Sequence, residues 1–307
     1  ASVSRLTLTT RERDGGVEAT QILIGGGKIL EVKAAGSPPG TCVEIRQLFF
    51  NLPARRKFLR SEETEYAHIH HYLTLAALAY PHVGFHLTRD GRPVWQLPAV
   101  KHEPTAADRL HALRERLRAL LGNELALLAV DHSAPLAALT DSDPAEPDAA
   151  PAPPPAVLRL WGYIGQPGVS RATREDQYVF VNRRPVENRT VNYALIEGYH
   201  TALMKGRYPV GCLFLELDPA LVDVNVHPAK REVKFHNDRV VRQFVCDGVR
   251  QTLLRFHGPP ATSDATSAPP AAPVAGLAAR SSAASAASTL KPDAPAAVPR
   301  ELPTFTA

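Results

Sequence analysis

Val222-Asp223-Val224-Asn225-Val226-His227-Pro228-Ala229-Lys230-Arg231-Glu232-Val233-Lys234-Phe235 is the stretch on which the reading of this chain turns. Apolar and polar residues alternate on both sides of Pro228, which describes two short strands, Val222 to Val226 and Glu232 to Phe235. Proline lacks an N–H and fixes its own backbone, so it breaks the strand and aims Lys230 in a defined direction. A lysine held in this way can neutralise a terminal phosphate as a point charge, which phosphoryl transfer requires as negative charge shifts. Taken alone, the same lysine reads as an ordinary surface residue, so its surroundings decide.

Upstream, apolar runs at Leu125 to Val130, Leu158 to Ile164, Tyr178 to Val181 and Gly211 to Leu217 have the length and composition of strands. Helical spacing fits Arg189 to Met204, and from Asn237 onward Val241, Val245, Val249 and Leu253 share a face. Leu110, Leu113, Leu117 and Leu120 form another helical stripe, stopped by Gly122. Strands mixed with few helices make residues 103–257 an α+β domain ending near His257. Its one interruption, the Pro-, Ala- and Asp-rich run 133–156, has too little apolar surface to offset its ordering entropy and reads as a flexible insertion.

Residues 1–102 read as a separate α+β layer. Ser4-Arg5-Leu6-Thr7-Leu8-Thr9-Thr10 alternates as a strand with nothing capping it, so the chain reads as a fragment cut through a domain. Gln21 to Ile24 and Lys28 to Val32 flank Gly25-Gly26-Gly27 as a hairpin. No helix opening with Lys-Ser or Lys-Thr follows those glycines, so a plain turn accounts for them. Ser61-Glu62-Glu63 opens a helix in which Tyr66, Ile69, Leu73, Ala76 and Tyr80 repeat as a core-facing stripe until Pro81. Phe85 to Leu87 and Val94 to Leu97 flank Asp90-Gly91 as a second hairpin. Ala, Pro and Ser dominate 258–307, the composition of a disordered interdomain linker.

With 307 residues, 44% hydrophobic and 21% charged, the chain can bury a sizeable core. It has no apolar run of the roughly 18 residues that a membrane span needs, and its first residues resemble neither a signal nor a transit peptide. Cys42, Cys212 and Cys246 lie far apart without Cys-x-x-Cys spacing, which argues against a disulfide framework or structural zinc and for a reducing, cytoplasmic compartment. Lys and Arg number 35 against 31 Asp and Glu, a formal charge of +4. Asp141, Asp143, Glu146 and Asp148 stand without a base in the insertion, so the remainder is more basic than the whole. A moderately basic body suits an anionic partner such as nucleic acid without establishing one.

Several motifs carry chemistry, each beside a plainer reading. Gly40-Thr41 precedes a strand: a backbone that approaches a nucleotide closely uses such a glycine, and the hydroxyl can bond beside it, but a simple turn has the same sequence. Phe49 to Arg60 places Arg55, Arg56, Lys57 and Arg60 within six residues between apolar anchors; these cations meet phosphate, an acidic partner or only solvent. Gln177 to Arg189 is a strand, a basic turn with Arg183 and Arg184, and Arg189 at a helix start, where it opposes the helix dipole unless an anion is near. His68 and His71 share a helical face, yet no carboxylate or cysteine completes a metal set, and no Gly-x-Ser-x-Gly elbow marks a hydrolase.

Together these stretches resemble the MutL family of DNA mismatch repair proteins, from Ser4 to about Leu254. Ser4 to Leu8, Gly40-Thr41, Pro53-Ala54-Arg55-Arg56-Lys57-Phe58, Phe180-Val181-Asn182-Arg183-Arg184 and Asp223 to Lys230 follow one another in the family's order. The resemblance implies the C-terminal part of an ATP-binding domain of the kind shared by gyrase, the ninety-kilodalton heat-shock chaperone, histidine kinases and MutL. A ribosomal-protein-like α+β domain used in nucleotide sensing and DNA contact would follow. It implies ATP-binding positions at Gly40, Thr41 and Lys230 and DNA-binding positions at Arg184 and Arg189, with Arg55, Arg56 and Lys57 as candidate phosphate or interface contacts.

The intact family protein is expected to be a homodimeric, weak ATPase using ATP and Mg2+, acting in the cytoplasm at the nucleoid. Its expected partners are DNA, the mismatch-recognition protein MutS and a downstream nuclease or helicase, with no membrane. Two departures stand out. Leu52 replaces a threonine of the family's Phe-Tyr-Asn-Thr-Pro block. The family's catalytic glutamate, magnesium-binding asparagine, Asp-x-Gly-x-Gly motif and glycine-rich lid all precede the point where this chain starts, so the stretch in hand is expected not to hydrolyse ATP or bind it productively. The rival readings are a nucleic-acid-binding module indifferent to nucleotide and the transducer part of a type II topoisomerase-like ATPase.

Overall fold

The computed structural model describes residues 1–101, 105–136, 157–224 and 232–257. The linker expected over 258–307, most of the expected insertion and Lys230 lie outside the described residues.

Four antiparallel strands open the chain: β1 (Arg5–Arg11), β2 (Ala19–Gly25), β3 (Lys28–Ala35) and β4 (Gly40–Arg46), in the order β3-β2-β1-β4. Gly26 and Gly27 take φ of 57° and 87°, so the triple glycine is a tight hairpin turn. Register aligns Val43, Leu8, Ile22 and Val32 in one cross-strand row and Ile45, Leu6, Ile24 and Ile29 in the next. Alternation therefore makes one sheet face apolar, while Glu44, Thr7, Thr9, Gln21, Glu31 and Lys33 occupy the other. The apolar face is open: Ile29 is 66% and Ile45 57% exposed.

The short α1 (Pro53–Arg56) leads to α2 (Glu62–Ala79), capped by Ser61, whose oxygen accepts from Thr64 N, with Glu62, Glu63 and Glu65 in its first turn. β5 (Phe85–Arg89) and β6 (Arg92–Leu97) turn at Asp90-Gly91, both with positive φ. Arg89 lies over the Tyr66 ring and pairs with Glu63, fixing this hairpin to the start of α2. Then come α3 (Ala106–Leu121), β7 (Leu127–Pro135), β8 (Val157–Gly165), β9 (Ser170–Arg171), β10 (Gln177–Val181), β11 (Arg184–Pro185), α4 (Arg189–Tyr199), β12 (Tyr208–Pro209), β13 (Gly211–Glu216), β14 (Val222–Asp223), β15 (Lys234–Phe235) and α5 (Asp238–His257).

The main sheet runs β11-β10-β13-β8-β7, with β10 and β13 parallel and the rest antiparallel. Its strands read as near-continuous apolar runs because both faces are covered. Val179, Val181, Leu213 and Leu215 pack against Val191, Leu195, Val245 and Val249 of α4 and α5. On the opposite face Tyr178, Phe180 and Phe214 meet Leu113 and Leu117 of α3 and Leu78 and Ala79 at the end of α2. Trp161, Phe214 and Phe180 stack there with centroids 4.2 and 4.4 Å apart. Arg116 of α3 is 1% exposed, and its Nη2 donates to the carbonyls of Pro81, Val83 and Pro98.

Three readings need correction. The expected core stripe of α2 is not the buried one: Ile69 and Tyr80 are exposed, while Thr74, Ala77, Leu78 and Ala79 are buried, because this helix meets the main core only at its C-terminal end. The helix from Arg189 ends at Tyr199 and not Met204, since His200 takes φ of 44° and breaks the ladder. Ser133, Ala134 and Pro135, read as the start of the insertion, extend β7 and pair with Arg159, Leu158 and Val157.

Candidate nucleic-acid interface

The turn between β10 and β11 is held from below. Asn182 Nδ2 donates to Leu217 O and its Oδ1 accepts from Leu217 N, both at 3.0 Å, which locks the turn onto the chain leaving β13. Asn182 and Arg183 have φ of 47° and 66°. Such a turn ordinarily takes glycine at its second central position, so Arg183 holds a left-handed backbone at some cost in strain. Val186 N then bonds Val179 O, and Asn188 caps α4 with Oδ1 3.0 Å from Val191 N. Arg189 is the first residue of that helix, and no acid shares its first turn.

Two adjoining crevices border this segment. One, of about 390 Å3, lies between α2 and the turn and is lined by Tyr72, Leu75, Tyr80, Arg183 and Arg184. The other, of about 770 Å3, is lined by Arg174, Arg189, Asn192, Glu232 and Lys234. His71, Gln177, Val186 and Glu187 border both. The side chains of Arg183, Arg184, Arg189 and Lys234 make no hydrogen bond or ion pair among the described residues. Some arginines elsewhere are partnered, as Arg109 is with Glu216 and Arg171 with Asp176, whereas Arg55 and Arg56 have no such ion pair among the described residues. Arg183 and Arg184 beside the exposed Tyr72 and Tyr80 form a surface suited to a phosphate backbone, with π-faces for bases, while the crevice at Arg189 and Lys234 also carries Glu175, Glu187, Glu232 and Asp238.

The remaining expected site residues lie apart. Gly40 opens β4 with φ of 128°, a backbone only glycine adopts freely, and Thr41 Oγ1 sits 2.8 Å from Thr10 Oγ1; both are exposed and neither lines these crevices. Arg55, Arg56 and Lys57 stand exposed on and just after α1 and line neither crevice. Near Lys230 in sequence, Glu232, Val233 and Lys234 line the second crevice. Among the described residues no group of three or more His, Cys, Asp or Glu side chains could hold a metal ion, and no helix is long and apolar enough to cross a membrane.

A family model described as DNA mismatch repair protein, C-terminal domain, matches residues 147–254. The MutL mismatch repair protein of Opitutus terrae is 45% identical over 253 residues, covering 82% of this chain and 36% of the relative. That of Syntrophotalea carbinolica is 41% identical, with the same coverage of both chains. The chain belongs to the MutL family of DNA mismatch repair proteins.

The chain spans about a third of the length of these MutL relatives. Among solved structures, a MutL ATPase domain of Aquifex aeolicus complexed with ADP matches with TM-score 0.50 and 26% identity, over 80% of this chain and 73% of that one. The N-terminal domain of a DNA repair protein matches with TM-score 0.65 and 23% identity, over 83% and 73%. The mixed α+β architecture is thus that of MutL ATPase-type domains. The family-model match, residues 147–254, takes in every element from β8 to β15 and most of α5, and so contains both Arg184 and Arg189. Sequence reasoning gave Asn188 no role and Arg183 only a place in the basic turn. Asn before a helix start is a readable capping signal, whereas nothing in the residue type announces an arginine in a left-handed turn.

Proposed function

We propose that this chain is the DNA-contacting, nucleotide-responsive part of a MutL-type protein that acts as an ATP-dependent clamp or coordinator between mismatch recognition and strand removal. The observation that carries this is Arg189: an unpartnered cation at the first position of a capped helix, bordering the same crevice as the residues that follow Lys230 and adjoining the one lined by Arg184. A cation there works against the helix dipole, and a phosphate would reverse that cost.

Gly40 and Thr41, at an open sheet edge away from both crevices, do not by themselves enclose a nucleotide. The described residues therefore do not fit ATP and Mg2+ alone, and no hydrolytic step is assigned to them. The apolar face of the first sheet supports a protein in which further residues cover it, since exposing such a patch costs about 25 cal/mol per Å2. On this reading those residues carry the glutamate, the asparagine and the lid, and MutS, a nuclease or helicase and a second subunit belong to that whole protein.

The test is binding of a fluorescent DNA duplex across a salt series, with Arg189→Ala and Arg184→Ala beside the unaltered chain. Each variant should bind more weakly at every sequence and lower the slope of log K against log salt by about 0.9. Unchanged affinity and slope in both would remove the reading. A nucleotide-indifferent binding module is the second reading, favoured by the separation of Gly40 and Thr41 from the crevices. It is distinguished by DNA binding that ATP and Lys230→Ala leave unaltered in a protein with the covered sheet.

A further inference from the structure

Asn188 is 8% exposed, and both ends of its amide are used. Oδ1 accepts from Val191 N at 3.0 Å and so caps α4; Nδ2 donates to Val233 O at 2.9 Å. The cap needs only the oxygen, and serine, threonine or aspartate would supply it. The nitrogen does something else: it ties the start of α4 to the chain entering β15. That strand is anchored in turn, with Lys234 paired to Asp223, Phe235 to Val222, and His236 N donating to Leu221 O at 3.0 Å. Val233 and Phe235 are buried in the same core cluster as Val186 and Val191. The neighbour of Asn188 is the unpartnered Arg189, and Glu232 and Lys234 border the same crevice.

We propose that Asn188 is a positioning residue that transmits DNA contact at Arg189 to the β14–β15 pair, and so to the chain from which the Lys230 segment departs. The inference rests on the DNA-contact reading above. A phosphate on Arg189 restrains the first turn of α4. The buried amide passes that restraint to Val233 through one hydrogen bond in a dry environment, where a polar partner left unpaired is costly. By reciprocity, an anion that restrains the β14–β15 pair strengthens DNA binding at Arg189 by the same factor.

The experiment is amide hydrogen exchange on the full chain with and without a DNA duplex, in the unaltered protein, Asn188→Ser, Asn188→Thr and Arg189→Ala. The unaltered protein should show exchange slowed several-fold by DNA at residues 222–224 and 232–236. Asn188→Ser and Asn188→Thr keep the capping oxygen and lack the donor; they should hold DNA affinity and α4 protection within a factor of a few while losing the slowing at 232–236. Slowing that persists in both, or is absent from the unaltered protein although Arg189→Ala weakens DNA binding, overturns the inference and leaves the DNA reading intact. Loss of α4 protection in both would give the bond from Asn188 to Val233 a purely structural role in holding the helix and likewise overturn it. If Arg189→Ala has no effect on DNA binding, the underlying reading fails, and the inference with it.

Discussion

Gly198 of α4 lies so close to Val249 of α5 that a Cβ on the glycine would sit 2.6 Å from Val249 Cβ and 3.0 Å from Cys246 O. The two helices cover one face of the main sheet together, and Val249 is fully buried, so neither can retreat freely. Gly198→Ala gains roughly 1 kcal/mol of helix propensity but forces overpacking that costs about 1–3 kcal/mol. A net loss is expected, read as a lower urea midpoint with an unchanged slope. Adding Val249→Gly removes both the Cβ and the Cγ1 that the new methyl meets and should relieve part of the clash, a coupling that a double-mutant cycle measures.

Arg116 binds the first part of the chain to the second. Its Nη2 lies 2.7, 2.8 and 3.0 Å from the carbonyls of Pro81, Val83 and Pro98, while Leu113 and Leu117 on the same helix pack under the main sheet. Pro81 O also accepts from Val100 N, so it keeps a partner when the guanidinium is removed. Arg116→Met, close in volume, strips the donor from the other two, at about 1–3 kcal/mol each. Expected is a melt lowered by several degrees together with faster amide exchange at 81–100; a melt equal to that of the unaltered chain would show that water replaces the arginine without cost.

The strands of the main sheet were legible in the sequence because their apolar runs are covered on both faces. Val179 and Val181 serve one core while Tyr178 and Phe180 serve the other. The four stripe residues of α5 were legible for a related reason, since one periodic face meets one layer. In α2 the same reasoning chose the wrong face: periodicity reports that a stripe is apolar, and only contacts show whether anything covers it. The site divides likewise. Arg184 and Arg189 stand out by charge in a strand–turn–helix context, and the cap from Asn188 to Val191 is local, but its other hydrogen bond, to Val233, joins residues 45 positions apart and leaves no local pattern.

The cysteines give a direct test of which surfaces are closed. Cys42 is exposed on β4, whereas Cys212 and Cys246 are buried, and burial pushes both of their thiols up from the ordinary range. The thiolate is the reactive form, so a folded chain should present one fast thiol to an aromatic disulfide reagent and three after unfolding. Cys42→Ser should abolish the fast phase. A second fast thiol in the native protein would mean that the core between the main sheet and its helices opens readily.

His132 makes the acid response of the main domain predictable. It projects from β7 against Phe244 of α5, ring centroids 4.9 Å apart, where a Cβ on Gly248 would lie 3.2 Å from its ring. Burial disfavours the imidazolium and lowers its pKa from the ordinary value of 6.5; Asp247 opposes this shift and Arg255 adds to it. In the unfolded chain the same ring binds a proton near its ordinary value, so between the two pKa values the unfolded state holds more protons than the folded one. Stability from this residue is present above about pH 6.5 and is lost as pH falls below that value toward the depressed folded pKa. His132→Gln removes the titration and should flatten this part of the curve. Thermal melts from about pH 7.5 down to about pH 5 should therefore show a smaller decline for the variant than for the unaltered chain, and parallel declines would place the acid sensitivity in other groups.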